Sequence, residues 1–231
     1  MNVLYEDNHL LIVVKPPMLA TMGVRPPKRS LVDMARGYLK EKYRKPGEAY
    51  VGVVSRLDAP VGGVVVMART SKAAARLNQQ YRDGTAEKVY WAMVKGEFRP
   101  PGGALRDALE HDERHRKVRI VDPASPRAQS AELTYETLGQ VGEFWLLAVR
   151  PTTGRKHQIR VQLAAAGFPV VGDRKYGSDQ PFPIGIALWS RRVTILHPTR
   201  KEPITCTAPL LPVWRKFGVE EEDGYTSRGQ Q

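Results

Sequence analysis

The chain is constrained most by the short β-branched and alternating runs that recur from one end to the other. They predict strands near Val3–Tyr5, His9–Val14, Tyr50–Val54, Val64–Ala68, Lys88–Val94, Lys117–Val121, Ala131–Thr137, Phe144–Val149, Ile186–Trp189, Val193–Leu196 and Ile204–Thr207. Helical periodicity is rarer. Ser30 with Asp33 resembles a capping box opening LVDMARGYLKEKYRK, and Ser71 is placed to cap KAAARLNQQYRD before Gly84. A third helix is predicted from about Arg155 to Ala166, ending at Gly167. These elements follow no regular βαβ rhythm. The expected fold class is therefore α+β, a largely antiparallel or mixed sheet flanked by a few helices. Turn clusters at Pro26-Pro27, Pro100 to Gly103, Pro123 to Pro126 and Gly177 to Pro183 are too short for interdomain linkers. One domain over residues 1–217 is expected, with 218–231 a polar, acidic tail.

With 231 residues, 42% of them hydrophobic, the chain can bury a sizeable core without disulfides. Its single cysteine, Cys206, excludes an internal bridge or a cysteine-rich metal cage. The N-terminus shows no signal-peptide pattern, and the apolar runs LLIVV and VVVMA are far shorter than a bilayer span. A soluble protein of the reducing cytoplasm, without membrane partners and monomeric, is expected. The formal charge of +12 favours polyanionic ligands, and aromatic residues among cations, as in KEKYRK at 40–45, tilt that expectation toward RNA.

Several common chemistries lack their signatures. No Walker-type phosphate loop, dinucleotide fingerprint or Gly-x-Ser-x-Gly elbow is present. The segment His111-Asp112-Glu113-Arg114-His115 has two histidines that a helix would bring to one face for zinc. Arg114, Arg116 and Lys117 crowd it with positive charge, so it reads as a charged hairpin tip, and no metal is expected.

Two other stretches carry more. In Val53-Val54-Ser55-Arg56-Leu57-Asp58-Ala59-Pro60-Val61-Gly62-Gly63-Val64 a strand breaks into a short loop with one carboxylate before a second apolar strand. Such a loop can present Asp58 at a cleft, although the Arg-Leu-Asp triplet taken alone favours an aspartate that only orders its own turn. In Pro151 to Leu163, the predicted helix places Ile159, Leu163 and Ala166 on a core face. Lys156 and Arg160 then share another face near the helix N-terminus, in a run dense with donors from Thr152 to Arg160.

Together these segments resemble the RluA-type family of pseudouridine synthases. The resemblance is carried by YEDNHLLIVVKPPMLAT at 5–21, RLDAPVGGVVVMARTSKAA at 56–74, KVYWAMVKGEF at 88–98, TTGRKHQIRVQLAAAGFPVVGDRKYG at 152–177 and HPTRKEPITCTAPLLP at 197–212. It implies a single synthase domain with a mixed, mainly antiparallel central sheet crossed by an RNA cleft. It further implies that Asp58 is the essential aspartate, Tyr90 the aromatic that packs on the target base, and Arg160 the cation that pairs with Asp58, with Arg155 as fallback. Arg56, Arg155, Lys156 and His157 are the expected RNA contacts, and the RNA would be ribosomal or transfer RNA. Two departures stand out: Ser55 where the family generally has His, and Val61-Gly62 where Thr-Ser is common. No S4-like RNA-binding domain is expected before Tyr5.

The implied chemistry suits these residues. Converting uridine to pseudouridine breaks N1–C1′, turns the base and joins C5 to C1′, with no redox change, so no cofactor is expected. One carboxylate near the sugar suffices, as nucleophile at C1′ or as base at C2′. A non-catalytic RNA-binding protein on the same fold is the alternative reading. A glycoside or nucleoside hydrolase is more distant, because glycosidases generally use two carboxylates and Asp58 has no evident partner of that kind.

Overall fold

The structure, a computed structural model, describes residues 1–96, 101–115 and 117–220. Its most completely buried strands are β2 (Leu10–Lys15) and β4 (Gly62–Ala68), antiparallel from Leu10 opposite Ala68 to Lys15 opposite Gly63. Both strands are buried along their whole length, which is why their sequences read as unbroken apolar runs rather than as an alternation. β1 (Asn2–Glu6) flanks β2, and the two-residue β3 (Gly52–Val53) pairs with the far end of β4.

β10 (Leu188–Leu196) lies on the other side of β4 and runs parallel to it; every other strand pairing among the described residues is antiparallel. From β10 the sheet continues through β5 (Glu87–Lys95), β9 (Phe144–Pro151), β8 (Gln129–Val141), β6 (Gly102–Asp112) and β7 (Lys117–Val121). β11 (Pro203–Thr207) pairs with β10 off this path. The helices are α1 (Leu31–Lys42), α2 (Ser71–Arg82), α3 (Gln158–Ala165) and the short α4 (Pro212–Lys216). The expected α+β class with a mixed, mainly antiparallel sheet is the fold observed.

The close approach of β4 to β10 explains Gly62. A Cβ there would stand 2.3 Å from Cζ3 of Trp189, itself 1% exposed, so a side chain at 62 and this tryptophan exclude each other. Gly63 has φ +114, and a Cβ would meet the Ser190 carbonyl oxygen at 2.2 Å. Ser55 has a structural use as well: its Oγ accepts the Val66 N–H at 3.0 Å, tying the chain beyond β3 to β4.

Several boundaries differ from expectation. The Ser30 capping box forms, but α2 is capped by Thr70, whose hydroxyl accepts the Ala73 N–H; Ser71 is already the first helical residue. Helix α3 begins at Gln158 instead of Arg155, because His157 adopts the left-handed conformation (φ 54, ψ 15) and interrupts the turn. Leu188 and Trp189 of the run 186–189 and the whole run 193–196 belong to one strand, β10, whose pairing with β5 shifts register between Ser190 and Arg192. Strand β6 was not anticipated: its buried residues, Ala108–Glu110, are consecutive and the rest are half-buried or exposed, so GGALRDALEHD lacks the alternation that burial on one face imposes. Short α4 also escapes periodicity, though it seats the buried Trp214. The core extends to Val219, two residues beyond the expected limit; 221–231 of the expected tail, and Pro100 of one turn cluster, lie outside the described residues.

Candidate active site

Asp58 lies on the loop that leaves the sheet after Ser55 and returns at Gly62, and this loop is fixed from three sides. The buried Thr21 hydroxyl accepts the Leu57 N–H (3.1 Å) and donates to the Leu57 carbonyl (2.8 Å). The Pro60 carbonyl accepts the Ile186 N–H at 3.3 Å, and the Val61 N–H closes the turn onto the Asp58 carbonyl at 3.0 Å. From the end of β2, the ammonium of the fully buried Lys15 donates to the carbonyls of Pro16, Leu19 and Ala59 at 3.0, 2.7 and 3.2 Å. Burial pulls its pKa down to about 8, against the attraction of Asp58.

The Asp58 carboxylate is 25% exposed and meets a buried guanidinium. Arg160 on α3, 5% exposed, donates from NH1 to Asp58 Oδ2 at 2.8 Å. Its remaining edge is held by Asp173, 2% exposed, with Nε to Oδ2 at 2.6 Å and NH2 to Oδ1 at 2.9 Å. Burial disfavours the charge on Arg160, but the bonds to Asp173 and Asp58 outweigh it and hold the group above its usual pKa. The Tyr176 ring lies against the guanidinium, 5.0 Å from ring centre to the central carbon. A cation gripped on both edges and one face can orient a carboxylate without itself moving.

His157, in the turn before α3, faces the same oxygen: its Nε2 is 3.7 Å from Asp58 Oδ2, and its Nδ1 is 2.7 Å from the Tyr176 hydroxyl. Burial pulls its pKa down to about 4, opposed by Asp58 and reinforced by Arg160, Lys175 and Lys156, so the ring is neutral at pH 7. Tyr90 lies on β5 between Ser190 of β10 and Val149 of β9. Burial raises its phenol pKa to about 12, a bond with Ser190 opposes the rise and the charge of Asp58 adds to it. The phenol is therefore protonated at neutral pH.

The structure thus brings Asp58, Arg160 and His157 together and puts Tyr90 within the electrostatic reach of Asp58. Arg155, the fallback partner, is exposed and donates to the Ser130 carbonyl at 3.0 Å instead. Lys156 does not share a helical face with Arg160; it precedes α3 and meets His111 Nε2 at 2.8 Å. Arg56 is exposed beside the Asp58 loop. His111 and His115 belong to the β6–β7 hairpin, where His115 Nδ1 contacts Asp112 at 2.8 Å. Among the described residues, no group of three or more His, Cys, Asp or Glu is arranged to hold a metal ion.

Reasoning from sequence overlooked Asp173, Tyr176, Lys15 and Thr21. The first two stand in VVGDRKYG, a stretch that signalled only resemblance; Lys15 carried a legible sign, a lysine ending an apolar run.

The family model described as RNA pseudouridylate synthase matches residues 9–165, a span that includes Asp58, Tyr90 and Arg160. The chain belongs to that family. Ribosomal large subunit pseudouridine synthase D of Borreliella burgdorferi is 33% identical over 76% of this chain and 54% of its own length. An uncharacterised RNA pseudouridine synthase of Bacillus subtilis is 32% identical over 90% of this chain and 68% of its own length. The chain thus spans about half to two thirds of these curated relatives. The human protein RNA pseudouridylate synthase domain containing 4 shares the fold, with a TM-score of 0.78 at 22% identity over 95% of this chain and 94% of that one. The RluA-like motifs and the synthase domain they implied agree with this membership. No helix among the described residues is long and apolar enough to cross a membrane.

Proposed function

We propose that this protein isomerises selected uridines of structured RNA to pseudouridine, with Asp58 as the reacting carboxylate. The observation that carries this reading is the Asp58–Arg160–Asp173 chain: a partly exposed carboxylate on a pinned loop, tied at 2.8 Å to a guanidinium that is almost wholly buried. A turn-forming aspartate needs no such partner. Asp58 Oδ1 accepts no hydrogen bond among the described residues, while Arg160 occupies Oδ2.

In the reaction, that oxygen either attacks C1′ or takes the C2′ proton, and either event breaks N1–C1′ and releases uracil from the sugar with the bonding pair on N1. The detached base turns and bonds to C1′ through C5, as the C1′–Oδ1 ester bond of the first route breaks or, in the second, the carboxyl group returns its proton to C2′. The C5 proton then leaves and N1 ends protonated, so atoms and charge balance without a cofactor. Arg160 holds and aims Asp58, and the Tyr90 ring offers a stacking face for the uracil. The exposed Arg56, Arg155 and Lys156, in a chain of net charge +12, supply phosphate contacts that help offset the cost of unstacking the target.

Relatives named for the large ribosomal subunit make its RNA the first substrate to try and transfer RNA the second. The test is incubation of the purified protein with each RNA carrying tritium at uridine C5, without added cofactor. Tritium release and pseudouridine at discrete positions are expected. RNA binding without release would favour the non-catalytic alternative.

A further inference from the structure

His157 is held in a backbone conformation that a residue with a side chain rarely adopts, with φ 54. An early helical turn has no need of it. What the conformation accomplishes is to turn the imidazole inward, 10% exposed, with one nitrogen toward Asp58 and the other on the Tyr176 hydroxyl.

That hydroxyl is already committed as an acceptor: the Val118 N–H of β7 donates to it at 2.9 Å. A phenolic oxygen has one proton and accepts well in one further direction of its plane, so with Val118 in the accepting direction its proton points at His157 Nδ1. Nδ1 then accepts, and in a neutral ring the proton sits on Nε2. We propose that Tyr176 fixes His157 as the Nε2–H tautomer and thereby aims a second, uncharged donor at Asp58 Oδ2, making both residues positioning residues for the reacting carboxylate.

The arrangement has a chemical purpose. Arg160 NH1 at 2.8 Å and His157 Nε2 at 3.7 Å both face Oδ2. Closing the second distance needs only a small movement of ring or loop. With both donors on one oxygen, the carboxylate cannot rotate freely, and Oδ1 is the oxygen left for the sugar. An imidazolium in this place would add a charge beside Arg160, Lys156 and Lys175, whereas a neutral N–H does not. The chain of contacts also starts on the β6–β7 hairpin, so a shift of β7 at Val118 would reach Asp58 through two side chains.

This inference rests on Asp58 being the reacting carboxylate, but its first test does not involve RNA. In protein labelled with ¹⁵N in its histidine rings, the nitrogen shifts of His157 at pH 7 should show Nε2 protonated and Nδ1 bare. Tyr176→Phe, which keeps the ring against Arg160, should lose that preference. An Nδ1–H ring or an imidazolium in the native protein overturns the proposal whether or not the protein releases tritium from RNA. In turnover, Tyr176→Phe and His157→Asn should each lose roughly ten- to hundred-fold at saturating RNA, the scale of one hydrogen bond to a charged group, with affinity little changed. His157→Gln, whose amide N–H reaches the Nε2 position, should recover most of it. Equal losses in the Asn and Gln variants, or unchanged turnover in Tyr176→Phe, also overturn it. A native protein that shows the expected tautomer yet releases no tritium would contradict the enzyme reading instead.

Discussion

Replacing Asp173 by Ala removes both acceptors from the inner edge of Arg160, bonds of 2.6 and 2.9 Å, and leaves a guanidinium 5% exposed with Asp58 as its remaining carboxylate partner. Removing one member of a buried ion pair typically costs about 3–5 kcal/mol, because the other is stranded out of water. Asp58 can still share the charge, so about 3 kcal/mol is expected here. Arg160→Met should cost a similar amount by stranding Asp173, which is 2% exposed. The double variant strands neither group. It should be no worse than either single change, which gives a coupling of at least about 3 kcal/mol. Urea unfolding at pH 7, compared through midpoints at constant slope, measures all four proteins. Additivity within about 0.5 kcal/mol would refute the reasoning, since it would mean that each side chain finds water or another partner when its neighbour is gone.

Three further outcomes follow from the same geometry. Arg160→Met should depress turnover of the saturated RNA complex far more than RNA affinity, because Nε, NH1 and NH2 are all spent on carboxylates; a loss confined to binding would make it a phosphate contact. Gly62→Ala should destabilise the protein by about 1–3 kcal/mol through overpacking against Trp189, and Trp189→Leu should relieve part of that loss in a thermal melt. Because the folded pKa of His157, about 4, lies below its unfolded value of 6.5, the unfolded chain gains a proton first as pH falls. Stability should therefore decline between about pH 6.5 and 4, by at most about 3 kcal/mol, and His157→Gln should flatten that limb in pH-dependent urea titrations.

How far the sequence was readable depends on where its signals come from. The fully buried strands β2 and β4 announce themselves because burial on both faces forces apolar runs, and the Ser30 capping box because it is a local exchange of hydrogen bonds. Strand β6 did not, since only Ala108–Glu110 of its eleven residues are buried and they leave no apolar run or alternation. Asp58 and Arg160 lie 102 residues apart, and only the family resemblance linked them before their 2.8 Å contact was seen. The start of α3 was misplaced for a related reason: GRKHQIR is compatible with a helix, and the left-handed His157 arises from contacts with Tyr176 and Asp58, which lie elsewhere in the chain. Gly62 looked like a departure from pattern until Trp189, 127 residues on, was found against it.

The central claim is that Asp58 reacts with the nucleoside, and Asp58→Asn tests it most directly. Asparagine keeps the size of the side chain and its capacity to order a turn, while removing the charge and nearly all the basicity. RNA binding should persist, and a thermal melt should confirm that the variant is folded. The measurement is tritium release from RNA labelled at uridine C5, which requires formation of the new carbon–carbon bond and departure of the C5 proton. The wild type should release tritium without added cofactor and the folded variant essentially none, a loss of many powers of ten. Release by the variant at a rate near that of the wild type would contradict the account.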